Sequence, residues 1–232
     1  MSPDAVRAAY ERVKAEVGPG VTVVAATKYV SVADMAVLVE AGIEVVGENR
    51  AQDLEAKHAE YGDAFRWHFI GHLQSRKVKT VNRICELVHS LDSESAARRL
   101  DVPALVEVNL SGEDTKSGVA PEDLERFLAL AGEVRGLMTL PPPADDPEAS
   151  RPYFRRLREL AGTQGLAELS MGTSQDYRVA AEEGATYVRV GSTLVDAGEP
   201  MVPPRAPSFS TRGNPWFPRE PPPSELDAPS RG

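Results

Sequence analysis

Val21-Thr22-Val23-Val24-Ala25-Ala26-Thr27-Lys28 is a run of β-branched and small residues, bounded upstream by Gly18-Pro19-Gly20 and closed by a lysine. No charge interrupts it before Lys28, so it reads as a fully buried strand rather than the alternating strand of a half-exposed sheet. Working outward, short runs of the same kind recur at Val45–Glu48, Trp67–Ile70, Leu87–Ser90, Ala104–Asn109, Gly136–Leu140, Ala167–Gly172 and Tyr187–Val190. Helical patterns lie between most of them. Ser31–Ala41 opens on a capping serine and stops at Gly42, and Pro121–Ala131 carries proline, Glu122 and Asp123 in its first turn. Strict alternation of strand and helix implies parallel strands. Eight of them predict an α/β fold of the closed (β/α)8, TIM-barrel type. No GxGxxG follows a strand, which leaves a dinucleotide fold without support.

The chain has 232 residues, 41% of them hydrophobic, enough for one sizeable core. The strands and helices finish near Asp196, short against the ~250 residues typical of the fold. The stretch from Leu91 to Asp101 leaves room for only two or three helical turns. The expectation is one barrel over residues 1–196 and a tail over 197–232. That tail holds ten of the nineteen prolines, a density that blocks helix and sheet ladders and predicts disorder or polyproline II structure.

Acidic residues outnumber basic ones 35 to 26, for a formal charge of −9, which argues against nucleic acid as a partner. Cys85 is the single cysteine, so no intramolecular disulfide or multi-thiolate metal site forms. It reads as a small buried hydrophobe. With no apolar leader and no stretch of membrane-span length, the expectation is a soluble cytoplasmic protein.

In such a barrel, chemistry gathers at the C-terminal ends of the strands. Those positions are Lys28, Asn49, His72, Asn109, Met138, the segment Ser170-Met171-Gly172-Thr173-Ser174 and the segment Arg189-Val190-Gly191-Ser192-Thr193. A lysine there has two readings: an ammonium reaching to solvent, or an amine made nucleophilic toward an aldehyde by burial and a neighbouring cation. The two small-residue turns follow the last two strands, where barrels commonly build a phosphate site from backbone N–H groups and hydroxyls. Arg189 sits inside an apolar strand, where a guanidinium needs a partner. That partner is either an interior carboxylate such as Glu48 or Glu107, or a ligand at the mouth. His68 and His72 fall on one face of a strand but about 13 Å apart by strand rise, which argues against a metal pair. His58 and His89 have no evident companions, and no metal site is expected.

The segments Ala26-Thr27-Lys28, Gly47-Glu48-Asn49, Trp67-His68-Phe69-Ile70-Gly71-His72-Leu73-Gln74, Arg135-Gly136-Leu137-Met138, Ser170-Met171-Gly172 and Val188-Arg189-Val190-Gly191 occur in this order. Together they resemble the pyridoxal phosphate homeostasis proteins, whose barrel is that of the alanine racemase N-terminal domain. The resemblance runs from about Val6 to Val195. It implies pyridoxal 5′-phosphate held as an aldimine on Lys28, with Arg189 facing the pyridine nitrogen and Asn49 beside the ring. Ser174, Gly191 and Ser192 would take the phosphate, and Met171 belongs to the same motif. Thr173 stands where the family usually has methionine, and Ser192 where it usually has threonine.

An arginine against the ring nitrogen disfavours its protonation and weakens the ring as an electron sink. The implied function is therefore a non-catalytic protein that binds the cofactor for intracellular homeostasis or delivery, with apo-enzymes as transient partners. The alternative is a racemase-like pyridoxal-phosphate enzyme, which needs acid–base groups on both faces of the substrate carbon. Racemase relatives draw the second base from a separate β-domain, and no strand pattern follows Val195 here. The only tyrosine near a strand end is Tyr29. That absence also favours a monomer. A third reading, a cofactor-free sugar-phosphate barrel, would need a paired acid and base, for which only Glu48 offers itself.

Overall fold

In the computed structural model, which describes residues 1–113 and 117–195, eight parallel strands close into a barrel in chain order. They are β1 (Thr22–Ala26), β2 (Val45–Glu48), β3 (Arg66–Phe69), β4 (Leu87–Leu91), β5 (Ala104–Glu107), β6 (Val134–Met138), β7 (Glu168–Thr173) and β8 (Tyr187–Val190). Closure is made by β1 on β8, in the register Thr22↔Tyr187, Val23↔Val188, Val24↔Arg189 and Ala25↔Val190. All eight predicted strands are present, and their boundaries move by a few residues. The largest change is at β1, which ends at Ala26 because the Val30 N–H folds back onto the Thr27 carbonyl at 2.9 Å. Lys28 and Tyr29 therefore lie in a turn above the strand. The tail expected over 197–232 lies outside the described residues.

The helices around the barrel are α1 (Pro3–Val17), α2 (Met35–Glu40), α3 (Ala51–Tyr61), α4 (Val78–Ile84), α5 (Glu94–Ala97), α6 (Leu124–Leu128), α7 (Arg151–Thr163), α8 (Tyr177–Glu182) and α9 (Ser192–Val195). In α1, Ser2 caps the first turn by accepting the Ala5 N–H, and proline occupies the first turn. Its buried residues Val6, Ala9, Tyr10, Val13 and Val17 recur at helical spacing and pack the helix against α2, α8 and α9. The region expected as helix over Ser31–Ala41 begins as a turn in which Ser31 Oγ accepts the Asp34 N–H, and α2 proper starts at Met35. Pro121–Asp123 forms a 3-10 turn leading into α6. The short connection after Leu91 holds only the four residues of α5, capped by Ser93.

Outward faces of the strands and inward faces of the helices form the main core, which includes Phe69, Leu54, Phe154 and Leu157. Each such side chain, once buried, contributes roughly 1.5–3 kcal/mol. A smaller cluster of Leu87, Leu105, Met138 and Tyr187 fills the inside of the barrel. Gly136 is required by close approach: a Cβ there would lie 1.8 Å from the Glu168 carbonyl oxygen on β7. Cys85 is buried, and burial pushes its thiol up to about 12, so it packs as an inert hydrophobe.

Candidate functional site

Lys28 leaves the barrel at the C-terminal end of β1 and is exposed, its ammonium 4.9 Å from the ring centroid of Tyr29. Of the two sequence readings, the solvent-reaching one describes this conformation; the side chain is not buried. The backbone beneath it is held firmly. Lys57 of α3, which sequence reasoning overlooked, donates to the Thr27 carbonyl at 2.8 Å and to Glu48 Oε1, and the Thr27 hydroxyl donates to the same carboxylate oxygen. Lys57 and Glu48 are both buried. Such a pair is retained only where its geometry repays the desolvation of two charges. Here it fixes the residue from which Lys28 emerges. Nothing local marked Lys57, because an isolated lysine on an amphipathic helix looks like any solvated one.

On the neighbouring strand β8, Arg189 is 6% exposed and pairs in register with Val24. The sequence offered Glu48 or Glu107 as its interior counter-ion; neither makes a direct ion pair with it, although Glu107 acts on its charge from a distance. Glu48 is committed to Lys57, and Glu107 accepts the Ser117 hydroxyl at 2.6 Å. Burial raises the Glu107 carboxyl, with Asp92 adding to it. Arg189 instead donates to Ser170 Oγ at 2.5 Å and to the Thr139 carbonyl at 3.1 Å. Burial brings its guanidinium down to about 10, with Glu107 and Asp176 opposing, so the group remains a cation at neutral pH.

Behind Ser170 lies a feature the sequence did not disclose. His89, thought companionless, has Nδ1 2.7 Å from Ser170 Oγ and Nε2 2.9 Å from His68 Nδ1. Tyr187 stands edge-on to both rings, at 6.0 and 5.1 Å between centroids. Burial drives His68 down to about 3, with Arg66 contributing, and drives His89 well below its ordinary range, with His68 and Arg189 contributing. Both are neutral. His72, by contrast, lies at the surface with Nδ1 3.4 Å from Asp92, so His68 and His72 face different environments.

After β7 and β8 the two small-residue turns meet. Ser174 Oγ accepts the N–H groups of Gly191 and Thr193, at 3.1 and 3.4 Å, so two backbone donors converge on one oxygen. Thr173, the departure from the usual methionine, donates its N–H and hydroxyl to Asp176 at 2.7 and 3.0 Å and locks this turn. A Cβ at Gly191 would sit 3.3 Å from the Ala26 carbonyl, tight enough to favour glycine. Ser192 is exposed at the start of α9. Asn49, just after β2, has a buried Oδ1 with no hydrogen-bond partner among the described residues. Thus Lys28, Asn49, Ser174, Arg189, Gly191 and Ser192 all lie on β1, β2, β7 and β8 or the loops after them. Met171 is on β7 as well, but its side chain is fully buried in the main core, one residue out of phase with the inward-facing Ser170.

This mouth offers an amine at its rim, an unpaired amide oxygen, a buried cation and a small-residue turn in which the Gly191 and Thr193 N–H groups meet the Ser174 hydroxyl, a set of groups suited to a phosphorylated aldehyde. No helix of the described residues is long and apolar enough to cross a membrane. The barrel is that of an alanine-racemase-type domain: residues 1–197 match the family model of the alanine racemase N-terminal domain. Within that class, the chain belongs to the pyridoxal phosphate homeostasis protein family. It is 44% identical over 174 residues to the pyridoxal phosphate homeostasis protein of Aquifex aeolicus, covering 66% of this chain and 76% of the relative. Its identity to the homeostasis protein of Deinococcus radiodurans is 39% over 210 residues, covering 84% and 99%. PipY of Synechococcus elongatus, solved with pyridoxal phosphate bound, has 31% identity and a TM-score of 0.74, covering 82% of this chain and 99% of that one.

Proposed function

We propose that this protein binds pyridoxal 5′-phosphate at the mouth of the barrel, covalently through an aldimine with Lys28, and keeps the cofactor available to other proteins without catalysis of its own. The observation that carries this reading is the pairing of Val24 with Arg189, which sets a buried cation, hydrogen-bonded to a hydroxyl and a carbonyl and not to a carboxylate, on the strand beside β1, in whose following turn Lys28 stands. Family membership gives the cofactor class. When bound, the cofactor supplies an aldehyde that condenses with a lysine amine. With the cofactor bound, Asn49 would lie beside the ring, Arg189 would meet the ring nitrogen, and Ser174, Gly191 and Ser192 would hold the phosphate. A cation at the ring nitrogen opposes its protonation, which suits holding the cofactor more than activating a substrate carbanion. Delivery to apo-enzymes in the cytoplasm by a monomer completes the reading.

The racemase alternative retains only Tyr29 as a second base, and that side chain is 85% exposed and lies against Lys28. The sugar-phosphate alternative loses its acid, because Glu48 is fully buried in its ion pair. The test is to load the protein with pyridoxal phosphate, reduce with borohydride and map the adduct by mass spectrometry, beside Lys28→Ala. Label on Lys28 and none in the variant is expected. Label on another lysine would overturn the assignment. Deuterium exchange at the α-carbon of alanine, measured on the loaded protein, is expected to stay at the level of free cofactor; a faster, Lys28-dependent exchange would make it an enzyme.

A further inference from the structure

The polar chain inside the barrel has a direction that the chemistry of its first member dictates. A guanidinium only donates hydrogen bonds. Arg189 Nη1 therefore gives its proton to Ser170 Oγ, and the serine's own proton must go elsewhere. The remaining neighbour in reach is His89 Nδ1 at 2.7 Å, which accordingly accepts. His89 is neutral, so its proton is on Nε2, aimed at His68 Nδ1 at 2.9 Å. His68 accepts in turn and carries its proton on Nε2. The opposite tautomer of His89 would leave the hydroxyl proton of a fully buried serine with no acceptor, which costs about 1–3 kcal/mol. At the other end, Arg189 Nη2 is held by the Thr139 carbonyl, and the Thr139 hydroxyl is anchored on the Val108 carbonyl at 3.0 Å.

We infer that Ser170, His89 and His68 are positioning residues that clamp the Arg189 guanidinium through neutral hydrogen-bond acceptors, so that it is held toward the pyridine nitrogen of the cofactor with no carboxylate hydrogen-bonded to it. This rests on the cofactor reading proposed above and names what enforces it. A carboxylate in place of Ser170 would pair with the guanidinium and dilute its field at the ring. A hydroxyl backed by two neutral imidazoles fixes the position of the arginine, and Glu107 and Asp176 act on its charge only without a hydrogen bond to it.

The test compares full-length wild type with Ser170→Ala, His89→Leu and His89→Asn. Each is titrated with pyridoxal phosphate. The readouts are the dissociation constant and the pH midpoint of the bound cofactor's visible band, with the melting temperature of the cofactor-free protein as the folding control. Ser170→Ala removes a hydrogen bond to the charged guanidinium and is expected to weaken binding about tenfold and to displace the pH midpoint; His89→Leu removes the acceptor that orients the Ser170 hydroxyl and is expected to act in the same direction. His89→Asn places Oδ1 near the position of the accepting Nδ1, so it is expected to bind within about twofold of wild type. If His89→Leu does not fold, Ser170→Ala, which removes a single oxygen, decides alone. Wild-type affinity and midpoint in a folded Ser170→Ala protein would overturn the inference, as would identical behaviour of His89→Asn and His89→Leu. Failure of wild type to bind pyridoxal phosphate would overturn the cofactor reading itself, and the inference with it.

Discussion

Removing the titration of His68 should flatten the pH dependence of stability by a calculable amount. His68 is buried neutral, with a folded value of about 3 against an ordinary 6.5. Because the folded value is the lower one, the unfolded chain takes up a proton as the pH falls through 6.5 and the native state does not. Stability is therefore fully present above that point and drains away below it, down to about pH 3. Between pH 7 and pH 5 the loss from this one group is about 2 kcal/mol. His68→Asn keeps an oxygen close to Nδ1, so the N–H of His89 retains an acceptor while the titrating ring is gone. The assay is urea unfolding of the cofactor-free protein at several pH values, followed by the fluorescence of buried Trp67. Carboxylates and His89 titrate in both proteins and cancel in the difference. The wild type should lose about 2 kcal/mol more than the variant between pH 7 and 5. Equal losses would mean that His68 is protonated in the native barrel, and the assigned direction of the polar chain would fail with it.

Other perturbations probe the rest of the site. Lys57→Met strands the Glu48 carboxylate in the interior and should cost about 3–5 kcal/mol by denaturant unfolding, with Glu48→Gln added to it recovering part; a cost below about 1 kcal/mol would show that the pair does not anchor Thr27. Gly136→Ala drives a methyl group into the Glu168 carbonyl on β7, and a loss of about 3 kcal/mol is expected; a neutral result would mean that β6 and β7 are further apart than described. Asp176→Ala removes the acceptor of the Thr173 N–H and hydroxyl and of the Ser150 hydroxyl, and should cost about 1–2 kcal/mol while weakening phosphate binding, read by melting temperature and cofactor titration. Deleting residues 197–232 should leave cofactor affinity unchanged, since every proposed contact precedes that segment.

Much of the fold was legible because it is written in local pattern. Eight apolar runs between helical segments need only period and punctuation to be recognised, and parallel order follows from their alternation. Lys28, Asn49, Ser174, Arg189 and Gly191 could be picked out because the ends of barrel strands are where loops converge, whatever the packing inside. For Met171 the sequence left the phase open: adjacent strand residues face opposite ways, and it is Ser170 that turns inward.

The sequence by itself determined the strand-and-helix succession, the proline-rich composition after Asp196 and the identity of the residues at the strand ends, since each of these is a property of neighbours along the chain. Only the tertiary structure decided that Glu48 belongs to Lys57 and that His89 bridges His68 to Ser170. His68 lies 21 residues before His89, and Ser170 lies 81 after it. Contacts across a barrel depend on its closure and register, and neither the periodicity of one strand nor the propensity of one helix carries that information. An isolated histidine in an apolar strand says only that a partner is needed; the closed barrel supplies the partner and, through it, holds the arginine in place.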